Sequence, residues 1–152
     1  MNASYMQVAT PDAVVVFRIT PSTCELFNQF LAHSADACTL VVADKVVELG
    51  RLEQAGFIIP DPVRRMCIDV QVEFTGADFD GRTPLPAKSG LAAILQWQLG
   101  GERSVQKWAR HPSPNPYTLF DLAAPLPPEH VLYAATDAMV TLGLHLWFVA
   151  QR

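Results

Sequence analysis

From Pro128 to about Ala150 the sequence "PEHVLYAATDAMVTLGLHLWFVA" predicts one long, almost wholly apolar helix. Nothing else in the chain constrains the fold as tightly, because so much apolar surface must be covered by something. Asp137 and His145 interrupt the run, which argues against a membrane span and leaves the helix to pack within a domain. At about 100° per residue, Asp137 falls between Tyr133 and Leu144 on one side and His130 and Thr141 on the other. It therefore stands on the border of the apolar stripe, where burial alone does not mark it as functional.

A chain of 152 residues suits a single domain with a core of its own. Half of the residues are apolar and 17% are charged, giving a mean hydropathy of +0.17. The opening "MNASYMQVAT" has neither a basic stretch nor an apolar run, so no signal peptide is expected. Cys24, Cys38 and Cys67 are irregularly spaced, with no CxxC pair. They read as reduced thiols of an intracellular, non-secreted protein, without a disulfide framework or a zinc site. A formal charge of −4 argues against a general nucleic-acid binder while leaving room for a local basic stripe.

The remaining elements follow from pattern. "SYMQVA" and "AVVVFRI", separated by the turn residues Thr10 to Asp12, predict a β-hairpin. Pro21 and Ser22 open a helix over about 22–33, with Leu26, Phe27, Phe30 and Leu31 on its apolar face. "CTLVVA" over 38–43 is continuously apolar and predicts a buried strand. Asp44 is a candidate N-cap for a helix ending near Gly56, with Val47, Leu49 and Leu52 turned inward. "MCIDVQVEF" alternates like a strand that turns helical part way. "GADFDGRTPLP" predicts a loop, 87–99 an amphipathic helix, 102–110 a short one, and the proline-rich 112–128 a surface loop. The order of elements is that of an α/β chain of three layers.

On these residues the chain resembles the DEDD superfamily of 3′–5′ exonucleases, whose fold is ribonuclease H-like. It looks most like the Werner-helicase-type and ribonuclease D-type domains. Tyr133 and Asp137 in "YAATDA" match that family's Tyr-x-x-x-Asp motif, and Trp108 in "KWARHP" matches a tryptophan of the preceding short helix. "MQVATPDAVVVFRI" resembles the second and third strands, and Asp69 in "CIDVQVEF" the acid of a later segment. The resemblance spans nearly the whole chain and is specific at 128–142. It implies four carboxylates holding two divalent metals, Mg or Mn, with the tyrosine positioning the nucleophilic water.

The departures from that pattern carry as much weight. Two of the four acids belong to an Asp-x-Glu pair on a first strand upstream of Gln7, and only six residues precede Gln7 here. If "VVVFRIT" is taken as that strand instead, it supplies Arg18 and Thr20 where acids are needed. The second acidic motif falls on Asp44 by local reading, or on Val46 or Val47 by ungapped counting. Asp44 is either a displaced ligand or simply a helix cap. A lone Asp137 cannot hold two Mg ions, so no cofactor is expected of this chain by itself.

Outside that motif, Arg103, Lys107 and Arg110 share one helix face beside Trp108. They form either a phosphate-tracking stripe with a stacking aromatic or a solvated face with Trp108 in the core. Arg64 and Arg65 read as loop charges, and Asp78 and Asp80 as loop solubility. His33, His111, His130 and His145 show no metal-ligand spacing. Met6, Met66 and Met139 are ordinary core candidates.

The expected function is a degenerate exonuclease-like domain that binds RNA, protein or both as a scaffold in a larger assembly. Two alternatives stand beside it: an active metal-dependent exonuclease completed by a partner or an unseen N-terminus, acting on RNA or single-stranded DNA, and a structural subunit without nucleic-acid contact. On the resemblance, the absent first strand would lie centrally in the sheet, and its loss calls for a rearranged sheet or for another chain to cover the gap.

Overall fold

The structure, a computed structural model, describes residues 5–100 and 127–152. The expected 102–110 helix and most of the proline-rich stretch lie outside the described residues, as do Arg103, Lys107, Trp108, Arg110 and His111. What is described is a mixed α/β arrangement with two small two-stranded sheets rather than one continuous sheet.

The first sheet is the expected hairpin. β1 (Tyr5–Ala9) pairs antiparallel with β2 (Val14–Arg18), from Tyr5 opposite Arg18 to Ala9 opposite Val14. The Thr10 N–H donates to the Ala13 carbonyl at 2.8 Å and closes the turn. At the far end, the Arg18 guanidinium donates to the Tyr5 hydroxyl at 3.1 Å.

Helix α1 (Pro21–His33) starts where the proline predicts, and Thr20 caps it reciprocally with Thr23. Each hydroxyl accepts from the other residue's main-chain N–H, at 2.8 and 3.2 Å. Its expected apolar face is only half used. Leu31 is fully buried and Phe27 meets Phe57 edge to face, while Leu26 and Phe30 are 67% and 53% exposed. The sequence stripe is correct, but only its Phe27–Leu31 side meets the core.

The second sheet is smaller than expected. Of the 38–43 run, only β3 (Val41–Val42) is strand, and it is partly buried. It pairs parallel with β4 (Ile68–Asp69), Val41 opposite Ile68 and Val42 opposite Asp69. Between them run α2 (Lys45–Gln54) and α3 (Asp61–Met66). The latter corrects the reading of Arg64 and Arg65 as loop charges, since a proline in the first turn is compatible with a helix. Arg64 pairs with Glu53. In α2, Leu49 is buried but Val47 is exposed, so one of the three inward positions fails.

Asp69 ends β4 and opens α4 (Val70–Phe74), the strand-to-helix change anticipated in this segment. A loop follows, as expected, with Arg82 folded back against α5 (Leu91–Gln98). The guanidinium donates to the carbonyls of Trp97 and Gln98, both at 2.8 Å, and lies 5.3 Å from the Trp97 ring centroid. Helix α6 (Pro128–Ala150) matches its predicted limits.

Two buried clusters form the core. Met6, Leu31, Leu49, Phe57, Ile59, Val63 and Cys67 make the first, and Val70, Phe74, Ile94 and Leu144 the second. Val42 packs against the first and Val41 against the second. Successive strand residues point to opposite faces, so the two clusters lie on opposite faces of β3. Met66 and Met139, expected inside, are 66% and 56% exposed, whereas Met6 is buried. By length and composition α6 is apolar enough to cross a membrane. It packs across β1, β2, β3, α4 and α5, with Leu132, Met139, Leu146 and Val149 left exposed.

Candidate functional site

Between the two small sheets lies an open cleft of about 410 Å³. All five residues of β1 line one side of it, and Thr39 to Ala43 line the other. Phe27, Glu48, Arg51 and Leu52 reach it from α1 and α2. Leu91, Asp137, Ala138, Thr141 and Leu142 reach it from α5 and α6. Asp137 is thus brought to the cleft, partly buried, and its carbonyl accepts from the Thr141 hydroxyl at 2.7 Å.

Tyr133 lies one turn before it. Burial pushes the Tyr133 hydroxyl above the ordinary tyrosine range, and the nearby Asp137 charge adds to that shift. The two residues of the motif are therefore electrostatically coupled, but Tyr133 itself is not on the cleft lining.

Asp44 and Asp69 are engaged elsewhere. Asp44 adopts a left-handed conformation with φ of 65°, and its carboxylate accepts from the Val47 N–H at 3.3 Å as the cap of α2. The Asp69 carboxylate accepts three main-chain N–H groups: Lys45 at 2.8 Å, Gln71 at 2.9 Å and Asp44 at 3.2 Å. One side chain thereby serves the N-termini of both α2 and α4. Neither Asp44 nor Asp69 lines the cleft.

The second carboxylate on the lining is Glu48, 3.2 Å from the Arg51 guanidinium. Burial raises its pKa, and Arg51 opposes that shift. Among the described residues, no group of three or more His, Cys, Asp or Glu side chains is arranged to hold a metal ion. The donors present do not fit a pair of divalent ions, each of which needs several oxygen ligands of its own.

A second polar cluster has no counterpart in the sequence reading. His145 Nδ1 lies 2.9 and 3.0 Å from the two Glu73 carboxylate oxygens, and both side chains are largely buried. This pair ties α4 to α6 beside an aromatic group of Phe74, Phe79, Trp97, Trp147 and Phe148, whose centroids lie 5.2–6.5 Å apart. No spacing in the sequence connects residues so far apart, so only the fold reveals it. Its chemistry is that of an imidazole oriented by a carboxylate.

All three cysteines are free. Burial raises the thiol pKa values of Cys38 and Cys67, which makes both poor nucleophiles at neutral pH. No family model, curated protein or solved structure matches the chain.

Proposed function

We propose that this chain is a non-catalytic, exonuclease-like domain that serves as a binding scaffold in a larger assembly. A ribonuclease H-like, three-layered arrangement is part of the same reading, and helices on both faces of β3 are compatible with it. The carrying observation is how the acids are used. Asp137 reaches the cleft, while Asp44 and Asp69 direct their carboxylates to main-chain N–H groups at helix starts. A carboxylate satisfied by three N–H donors is a fold-building group, and detaching it would expose two helix ends.

Of the macromolecules such a scaffold would hold, protein suits the cleft better than nucleic acid. Among the described residues, its charged lining is two carboxylates, Glu48 and Asp137, and one guanidinium, already paired with Glu48. A polyanion gains little there. RNA contact rests on the Arg103, Lys107, Trp108 and Arg110 stripe, outside the described residues.

Labelled single-stranded RNA and DNA incubated with the purified chain in Mg or Mn test the reading. No nucleotide release above background is expected. Release that disappears in Asp137→Ala would replace it with the active-exonuclease alternative. RNA retention lost on triple charge reversal at 103, 107 and 110 would add the nucleic-acid arm.

A further inference from the structure

Helix α6 has two unlike faces. At about 100° per residue, the buried Thr141 and Leu144 lie opposite a stripe of Leu132, Met139 and Leu146. Those three are 69%, 56% and 47% exposed and stand seven residues apart. Four residues after each comes a smaller one: Thr136, Gly143 and Ala150. Large residues therefore alternate with small ones along a seam about 27 Å long. Nothing within the fold calls for the gap at Gly143. Glycine inside a helix is less stable than alanine, and among the described residues nothing outside the helix's own backbone lies within 4 Å of where its Cβ would be. The Thr136 hydroxyl already donates to the Leu132 carbonyl at 2.7 Å, so it brings no unpaired polar group to the seam.

We propose that this seam joins two copies of the chain, α6 packing antiparallel on α6 about a two-fold axis level with Thr141. Position 141 lies midway between 132 and 150, between 136 and 146, and between 139 and 143. Under that axis each large residue of one copy meets a small one of the other: Leu132 with Ala150, Met139 with Gly143, and Leu146 with Thr136. One rotation satisfies all three, so the seam itself specifies a second copy as its partner. A parallel pair would set Leu against Leu and Met against Met, and leave a void where two Gly143 residues meet. It would also place Glu129 beside Glu129, whereas the antiparallel pair brings Glu129 of each copy nearly level with Arg152 of the other. The drift of a seven-residue repeat, about 20° per repeat, is taken up by a crossing of about 20°.

Strips about 27 Å long and about 10 Å wide meet, less than a permanent dimer buries, so the association is weak and reversible. The domain already holds the helix folded, which leaves little to order on binding. A lipid surface suits this face less well. From Pro128 to Gln151 the helix carries no Lys or Arg, and its first turn is acidic. The inference goes beyond the scaffold reading and does not depend on it.

Sedimentation velocity of the full chain, from about 1 to about 300 micromolar, tests the dimer. A monomer–dimer equilibrium with a Kd of about 100 micromolar is expected. Met139→Glu and Gly143→Leu should each weaken it about tenfold or more. Gly143→Leu is the sharper variant, because leucine favours the helix: its monomer should melt no lower than the parent while dimerisation is lost. A chain monomeric throughout the range overturns the proposal, as does a dimer that either variant leaves intact. Cross-linking reads the register. Chains carrying Leu132→Cys and Ala150→Cys are mixed, oxidised and mapped by peptide mass spectrometry. A bridge between positions 132 and 150 is expected. A bridge from 132 to 132, or neither bridge in a dimeric sample, overturns the antiparallel pair. Flotation with vesicles of equal parts phosphatidylcholine and phosphatidylglycerol supplies the last outcome. A monomeric chain that floats, and no longer floats with Met139→Glu, makes this a membrane face and overturns the proposal.

Discussion

The two small sheets are built on opposite principles. β1 and β2 are neighbours in sequence, antiparallel, five residues each, and joined by a short turn that fixes their register. β3 and β4 are two residues each, parallel, and separated by two helices. A two-residue parallel ladder contributes little by itself. It is held instead by the Asp69 carboxylate at the starts of α2 and α4, and by Lys45, whose ammonium donates to the Cys67 carbonyl at 3.3 Å. A hairpin can rely on its own ladder, whereas a minimal parallel pair depends on side chains reaching the main chain.

The contrast can be broken in graded steps. The largest effect is expected from Phe74→Ala, which empties a fully buried site among Trp97, Trp147 and Phe148. It should cost about 3–5 kcal/mol in urea unfolding. If hairpin and parallel pair melt together in this variant, the molecule is one cooperative unit despite its divided sheet. Asp69→Ala should cost about 2–3 kcal/mol through three N–H groups left without their acceptor. Amide exchange should then accelerate at Val42 before Met6. Equal acceleration at both would contradict the claim that Asp69 serves the parallel pair specifically.

Asp44 gives a smaller and more diagnostic effect. Asp44→Ala loses the cap while keeping a left-handed backbone, and should cost about 1–2 kcal/mol. Asp44→Gly loses the same cap but suits φ of 65°, and should stay within a few tenths of a kcal/mol, by thermal unfolding. Should the glycine variant prove as damaging as the alanine one, the carboxylate does more than cap.

The smallest effect concerns pH. Burial raises the folded pKa of Tyr133 above its unfolded value of about 10. The stability linked to this group is complete below that value and is lost as pH rises toward the folded pKa. Tyr133→Phe should flatten that alkaline loss in urea titrations. An unaltered alkaline limb would assign the loss to another group.

The sequence disclosed what depends on neighbours along the chain. The hairpin, the proline start of α1, the Asp44 cap and both limits of α6 all follow from short-range pattern. It misjudged what depends on where helices come to rest. Leu26, Phe30, Val47, Met66 and Met139 sit in apolar stripes, yet periodicity cannot say which part of a stripe finds a partner. The Pro60-Asp61-Pro62 start of α3 looked like a loop because prolines both end helices and begin them. Asp137, singled out in the sequence, reaches the cleft lining, whereas Tyr133 does not. The bond from His145 to Glu73 and the joint service of Asp69 to two helices required the tertiary fold.

One consequence concerns how such a molecule is made. Helix α6 packs on β1, β2 and β3, all of which lie far upstream of it. During synthesis the hairpin can form within microseconds of emerging, yet its covering helix arrives only after the other described elements have been translated. Until then, the edge of β1 and the face awaiting α6 stand open together, the state in which a nascent chain is most prone to pair with the wrong neighbour. The order in which the chain leaves the ribosome thus leaves this hairpin waiting for its cover longer than the parallel pair, the other pair among the described residues.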